Sequence, residues 1–166
     1  MKKMMVMVVF AILASAVPAS AQNKGENTYL VIVDYDKTLY EKISAGKYNY
    51  PTKFPNFVPA GNGKQKVIIE LVCFGQNMKT DSVLQDLEAK GLRPATVDEI
   101  CAFGATYPGK QKQFPIIALG SIWRDSDGNR RVPCLDSTWW FKGRDLRMVL
   151  SDVIWLKRCR FAAVRQ

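Results

Sequence analysis

Gly91-Leu92-Arg93-Pro94-Ala95-Thr96-Val97-Asp98-Glu99-Ile100 is the stretch on which the fold turns. Ahead of it, Thr80 can cap a helix predicted over Asp81 to Lys90, with Val83, Leu84 and Leu87 facing inward. Gly91 supplies the left-handed stop for that helix. Pro94 biases Arg93 toward extended backbone, so Leu92 to Ala95 reads as an extended link. Thr96 and Glu99 then make a Thr-x-x-Glu capping box, which heads a second helix to about Thr106. Pro108-Gly109 ends it.

Upstream, Tyr29 to Asp34 is a compact β-branched run, which predicts a strand covered on both faces. Thr38 to Ala45 predicts a short amphipathic helix with Leu39, Tyr40 and Ile43 on one side, stopped by Gly46. Residues 47–64 are rich in Pro, Gly, Asn and aromatics, and predict an irregular connection pinned by Phe54 and Phe57. Lys66 to Phe74 is a second strong strand. Downstream the signals are β. Phe114 to Trp123 and Arg130 to Leu135 flank a segment, residues 124–129, whose Asp127-Gly128 pair marks a hairpin turn. Ser137 to Lys142 predicts a short strand and Arg160 to Val164 a terminal one that buries Phe161 and Val164. This order predicts an α+β fold: early strand–helix units, then a mainly antiparallel sheet.

Charge and tryptophan are unevenly spread. Residues 22–109 hold ten Lys/Arg against ten Asp/Glu, whereas residues 110–166 hold twelve against five, together with all four tryptophans. A basic segment containing Trp123, Trp139, Trp140 and Trp155 points to a contact face for something anionic or flat. The amino terminus has the grammar of a secretory signal: Lys2 and Lys3, an apolar run from Met4 to Ala14, and the small residues Ala19-Ser20-Ala21. The run is shorter than the roughly 20 residues a membrane span requires. The expectation is a signal peptide over residues 1–21 and one α+β domain over residues 22–166, without a transmembrane span after cleavage. Loss of Lys2 and Lys3 lowers the net charge from +9 to +7. The protein is therefore expected in the bacterial periplasm or secreted.

Export gives meaning to the four cysteines, Cys73, Cys101, Cys134 and Cys159. Two disulfides are permitted, and the pairing expected from the order of elements is Cys73 with Cys101 and Cys134 with Cys159. The competing reading is four free thiols packing as small apolar groups. The chain contains no histidine. That removes Ser-His-Asp and Cys-His nucleophile systems and histidine-based metal centres. No metal site and no cofactor is predicted.

Three motifs invite chemistry. Asp34-Tyr35-Asp36-Lys37-Thr38-Leu39, after a strand, resembles the first motif of haloacid-dehalogenase-type phosphatases. That resemblance implies a Mg²⁺-dependent enzyme with Asp34 as nucleophile and Asp36 as acid/base. The alternative is a strand-to-helix junction in which Asp36 caps the helix. Asp125-Ser126-Asp127-Gly128-Asn129 has the alternating oxygens of a calcium loop, but its spacing fails the EF-hand pattern and Arg124, Arg130 and Arg131 would repel a cation, so a hairpin turn is preferred. In Trp139-Trp140-Phe141, strand alternation sends one tryptophan to each face. One aromatic is then core and the other is free to stack beside Lys142, Arg144 and Arg147.

Gly91 to Ile100, Phe114 to Ser121, Arg131 to Leu135 and Cys159 to Arg165 together resemble a family of uncharacterised bacterial proteins, which implies no particular activity. The Leu-Arg-Pro-Ala-Thr-x-x-Glu-Ile start and the closing Cys-Arg-Phe-Ala-Ala-Val-Arg are also similar, more distantly, to C-type-lectin-like and formylglycine-enzyme-like domains. That likeness implies a fold whose ligands meet the loops between Trp123 and Lys157.

The expectation that follows is an exported binding module. Its ligand-binding candidates are Trp139 or Trp140 as a stacking platform and Arg144, Arg147, Lys157 and Arg158 as anion contacts. Partners would be an anionic glycan or envelope component, with nucleic acid less natural for an exported protein. The alternatives are the phosphatase using Asp34 and Asp36, and a structural or inhibitory partner of another envelope protein.

Overall fold

The computed structural model describes residues 27–49, 54–137 and 143–166. Strand β1 (Thr28–Asp34) alternates strictly: Tyr29, Val31 and Val33 point into a core while Leu30 and Ile32 stay outside. It pairs antiparallel with β2 (Lys64–Val72), placing Leu30 opposite Ile68. β1 is thus an edge strand with one covered face, not the doubly covered strand its composition predicts. A β-branched run fits any pleated surface; composition alone does not say how many layers lie over it.

The sheet continues from β2 to the terminal strand β10 (Arg160–Arg165), then to β5 (Ile116–Ile117), β7 (Arg130–Ser137) and β6 (Trp123–Arg124). β4 (Leu92–Pro94) adds to β10, and β8 (Arg144–Leu150) adds to β7. Among the described strands, only β5 with β10 pairs in parallel. The fold is α+β, with a large, mostly antiparallel sheet.

Each face of this sheet has its own core. On one, Val31, Ile69, Leu135, Leu146 and Val164 pack against helices α1 (Leu39–Ala45) and α3 (Val97–Thr106), through Ile100, Cys101 and Phe103. On the other, Val72, Ile117, Val132, Cys134 and Phe161 meet helix α2 (Thr80–Ala89) through Val83 and Leu87. A small antiparallel ribbon of β3 (Met78–Lys79) and β9 (Ile154–Trp155) closes that second layer. Consecutive residues of β10 face opposite cores, which is why Phe161 and Val164 are both buried as expected.

The capping box at Thr96 and Glu99 is present, with Thr96 N–H donating to Glu99 Oε2 at 2.8 Å. Gly91 takes φ +69°, as its role as a stop requires. Elsewhere tertiary contacts displace local expectation. Thr80 does not cap α2; its hydroxyl donates to the Ser151 carbonyl and accepts the Trp155 indole N–H at 2.8 Å. α1 is capped by Thr38 in a reciprocal box with Glu41, while Asp36 accepts the Gly63 N–H at 2.8 Å. Gly46 is right-handed rather than left-handed, and the following Lys47 carries the positive φ. Gly46 is there for space: a Cβ would lie 2.2 Å from the Tyr48 ring.

The predicted strand Phe114 to Trp123 is broken into β5 and β6 by Gly120, whose N–H bonds the Ala95 carbonyl. The hairpin turn stands, with Gly128 at φ +82° and its N–H on the Asp125 carbonyl. Strands β8 and β9 have no counterpart in the sequence reading, since the alternation of β8 is interrupted by charge. The predicted strand Ser137 to Lys142 lies largely outside the described residues; Ser137 ends β7.

Candidate functional site

The surface formed by the β3–β9 ribbon is built by strand alternation. Register sets Met78 opposite Trp155 and Lys79 opposite Ile154. Met78 and Trp155 are buried in the second core, so Lys79 and Ile154 share the outward face. Leu156, two residues after Ile154, is also exposed, and Lys157 and Arg158 follow it. The Lys157 N–H donates to Asn77 Oδ1 at 2.9 Å and the Lys157 carbonyl lies 3.8 Å from the Cys73 thiol, which tie this turn to the segment before β3. Ile154 is 62% exposed and Leu156 53%. Among the described residues, Lys79, Lys157 and Arg158 make no ion pair. Beside them, Lys79, Asp81, Arg130 and Ile154 border a hollow of about 250 Å³. One carboxylate there is already taken, since Asp152 pairs with Arg130 through Nε at 2.9 Å.

Of the residues named from sequence, Lys157 and Arg158 stand on this surface. Trp139 and Trp140 lie outside the described residues. Arg144 is spent within the fold: its guanidinium donates to Gly46 O at 2.6 Å, to Gln111 Oε1 at 3.2 Å and to Gly104 O, and stacks on the Tyr48 ring at 5.0 Å. It holds the end of α1, helix α3 and the turn at Lys110–Lys112 together. Arg147 is half exposed but paired with Asp136 at 2.6 Å. Trp155 is core, and Trp123 is half-buried in β6. Lys79, Ile154 and Leu156 were not candidates. Their signal, a Lys79-Thr80 pair far from a Ile154-Trp155-Leu156 alternation, has meaning only once the two segments pair.

All four cysteines are free thiols. Cys73 is exposed at the end of β2, whereas Cys101 is on α3 inside the first core, so the expected Cys73–Cys101 pair is not brought together. Cys134 and Cys159 share the second core. Burial pushes the thiols of Cys101, Cys134 and Cys159 up, that of Cys101 to about 12, which suits apolar packing rather than nucleophilic work.

The charged cluster around α3 is fully partnered. Lys42 bonds Asp98 at 2.7 Å, with both side chains under a tenth exposed, and Asp98 also accepts the Ala60 N–H. Arg93 grips Glu99 bidentately at 2.6 and 3.0 Å, and the Tyr35 hydroxyl donates to Glu99 Oε1 at 3.2 Å. Burial pushes Glu99 up, but Arg93, the Thr96 amide and Tyr35 outweigh it and hold the carboxyl below its usual range. Burial, then the Glu99 charge, raises the Tyr35 phenol to about 12. This network fastens α1, α3 and the Ala60 segment together.

The Asp34–Asp36 motif is not assembled as a phosphatase motif would be. Its strand is an antiparallel edge strand; Asp34 faces Lys64 at 3.9 Å, and Asp36 is occupied by Gly63. Asp125 likewise turns its oxygens inward, to the N–H groups of Asp127 and Asn129 and to Arg131 Nε at 2.6 Å. The Arg131 bond, first among several contacts, holds Asp125 below its usual range. Among the described residues, no three His, Cys, Asp or Glu side chains stand together as a metal site, and no helix is long and apolar enough to cross a membrane.

Comparison with family models, with curated proteins and with solved structures finds no match to this chain.

Proposed function

We propose that this protein is an exported binding module that contacts an anionic partner through the basic surface of the β3–β9 ribbon and the turn after it. The observation that carries the reading is the grouping of Lys79, Lys157 and Arg158, exposed and without ion pairs among the described residues, on two distant segments that the β3–β9 pairing and the Lys157–Asn77 bond bring together. Elsewhere arginines are consumed by Asp125, Asp136, Asp152 and Glu99. Three neighbouring cations outnumber the one carboxylate beside them that no arginine takes, Asp81, and leave a local positive potential that an anion answers. Localisation in the periplasm or outside the cell rests on the signal pattern of residues 1–21, and kinship with C-type-lectin-like domains on the capped start of α3 and the arginine-bearing terminal strand.

Retention on immobilised heparin, a soluble polyanion, tests the contact. The expected result is binding at low ionic strength that weakens as salt rises, with Lys157→Ala/Arg158→Ala eluting at clearly lower salt and Lys47→Ala unchanged. Equal elution of Lys157→Ala/Arg158→Ala and the parent would overturn the reading.

A further inference from the structure

Resting on that reading, we infer that the anionic partner is a lipid surface: the β3–β9 ribbon docks on an anionic bilayer, with Ile154 and Leu156 entering the headgroup region and Lys79, Lys157 and Arg158 around them. Lys79 opposite Ile154 fixes a cation and an aliphatic side chain on the same outward face, and Leu156, exposed two residues on, leads into the turn that carries Lys157 and Arg158. Both aliphatics are more than half exposed. Trp155 between them is anchored inward by its bond to Thr80 and by packing on Phe161 at 6.0 Å, so the ribbon is held rigidly against the core. Exposed apolar side chains on a ribbon anchored to the core, with a cation opposite one of them and two cations following the other, match an interface that is apolar within and negative at its rim.

A soluble polyanion would use the cations and leave Ile154 and Leu156 in water; a lipid surface uses both. Of the other uncovered aliphatics, Leu30, Ile32 and Ile68 lie among Asp34, Lys64, Lys66 and Glu70 on β1 and β2, where the signs balance; Leu150 lies opposite Arg131, whose charge Asp125 takes, and Val58 and Ile122 stand in irregular segments outside the strands. Charge complementarity together with the paired register therefore favours the ribbon.

Co-sedimentation with vesicles tests the assignment, using phosphatidylglycerol mixed with phosphatidylcholine beside phosphatidylcholine alone, with heparin retention in parallel. The expected result is binding to the anionic vesicles only. Ile154→Ser/Leu156→Ser should weaken it by about tenfold or more while heparin retention persists, and Lys79→Ala/Lys157→Ala/Arg158→Ala should weaken both. All five side chains are exposed, and an unchanged thermal unfolding midpoint checks that each variant is folded. Heparin retention without vesicle binding, or vesicle binding indifferent to Ile154→Ser/Leu156→Ser, overturns the lipid assignment and leaves the anionic contact standing. Loss of both in the parent protein overturns the two together.

Discussion

Glu99 does three jobs with one carboxylate. It closes the capping box of α3, neutralises Arg93, and accepts the Tyr35 hydroxyl, so its charge is held by the fold and its burial is compensated. A carboxyl held below its usual value stabilises the protein in full above the unfolded-chain value, about 4.3, and that stabilisation is lost as pH falls through the lower folded value. Glu99→Gln keeps the acceptor geometry and removes the charge, and should cost about 2 kcal/mol at neutral pH. In urea unfolding followed across pH, the gap between parent and variant should be constant above about pH 5 and close in acid; a gap independent of pH down to 3 would contradict this. Tyr35 acts at the other end of the scale. Its phenol is raised, so its contribution is complete below about 10 and fades as pH climbs through the folded value of about 12. The capping box was readable from spacing. That Arg93 and Tyr35 would converge on the same carboxylate was not, because 64 residues separate Tyr35 from Glu99.

Two glycines illustrate how elements are joined for different reasons. Gly91, between α2 and β4, needs positive φ and has open space around it, so Gly91→Ala should cost about 1 kcal/mol of backbone strain. Gly120 ends the strand that sequence alone would extend to Trp123. A Cβ there would lie 2.6 Å from the carbonyl oxygens of Pro94 and Ala95, in backbone that cannot yield. Gly120→Ala should therefore cost about 2–3 kcal/mol, and chemical denaturation should rank it below Gly91→Ala. The opposite ranking would mean that β4 is free to move away. Gly91 was identifiable as a stop because its role is local. Gly120 was not, since its neighbour across the gap is 25 residues back in the chain.

At the scale of the whole molecule, one sheet separates two cores, and three of the four thiols lie within them. Cys73 alone is exposed. Treating native protein with a thiol reagent should modify Cys73 rapidly, with Cys101, Cys134 and Cys159 reacting only on unfolding; mass spectrometry of the labelled peptides gives the answer directly. Rapid labelling of Cys134 or Cys159 would mean that the second layer opens readily. The two-core arrangement also explains the fate of the arginines. Arg144 looked like surface charge, yet it closes the seam where α1, α3 and the Lys110–Lys112 turn meet.

From its residues alone the chain determined what depends on neighbours within a few positions: the α+β class, the capped start of α3, the Gly91 stop, the Asp127-Gly128 hairpin and the buried terminal strand. Helix caps and tight turns are local hydrogen-bonding problems with few solutions. Only the tertiary structure decided that β1 is an edge, that Thr80 serves Ser151 and Trp155 instead of its own helix, that Arg144 is taken up by bonds within the fold, and that Trp155 belongs to the interior. It also brought Lys79 alongside Ile154, 75 residues away, to form the basic and apolar face. Such contacts arise from burying two faces of one sheet, and that choice is made by the whole chain at once.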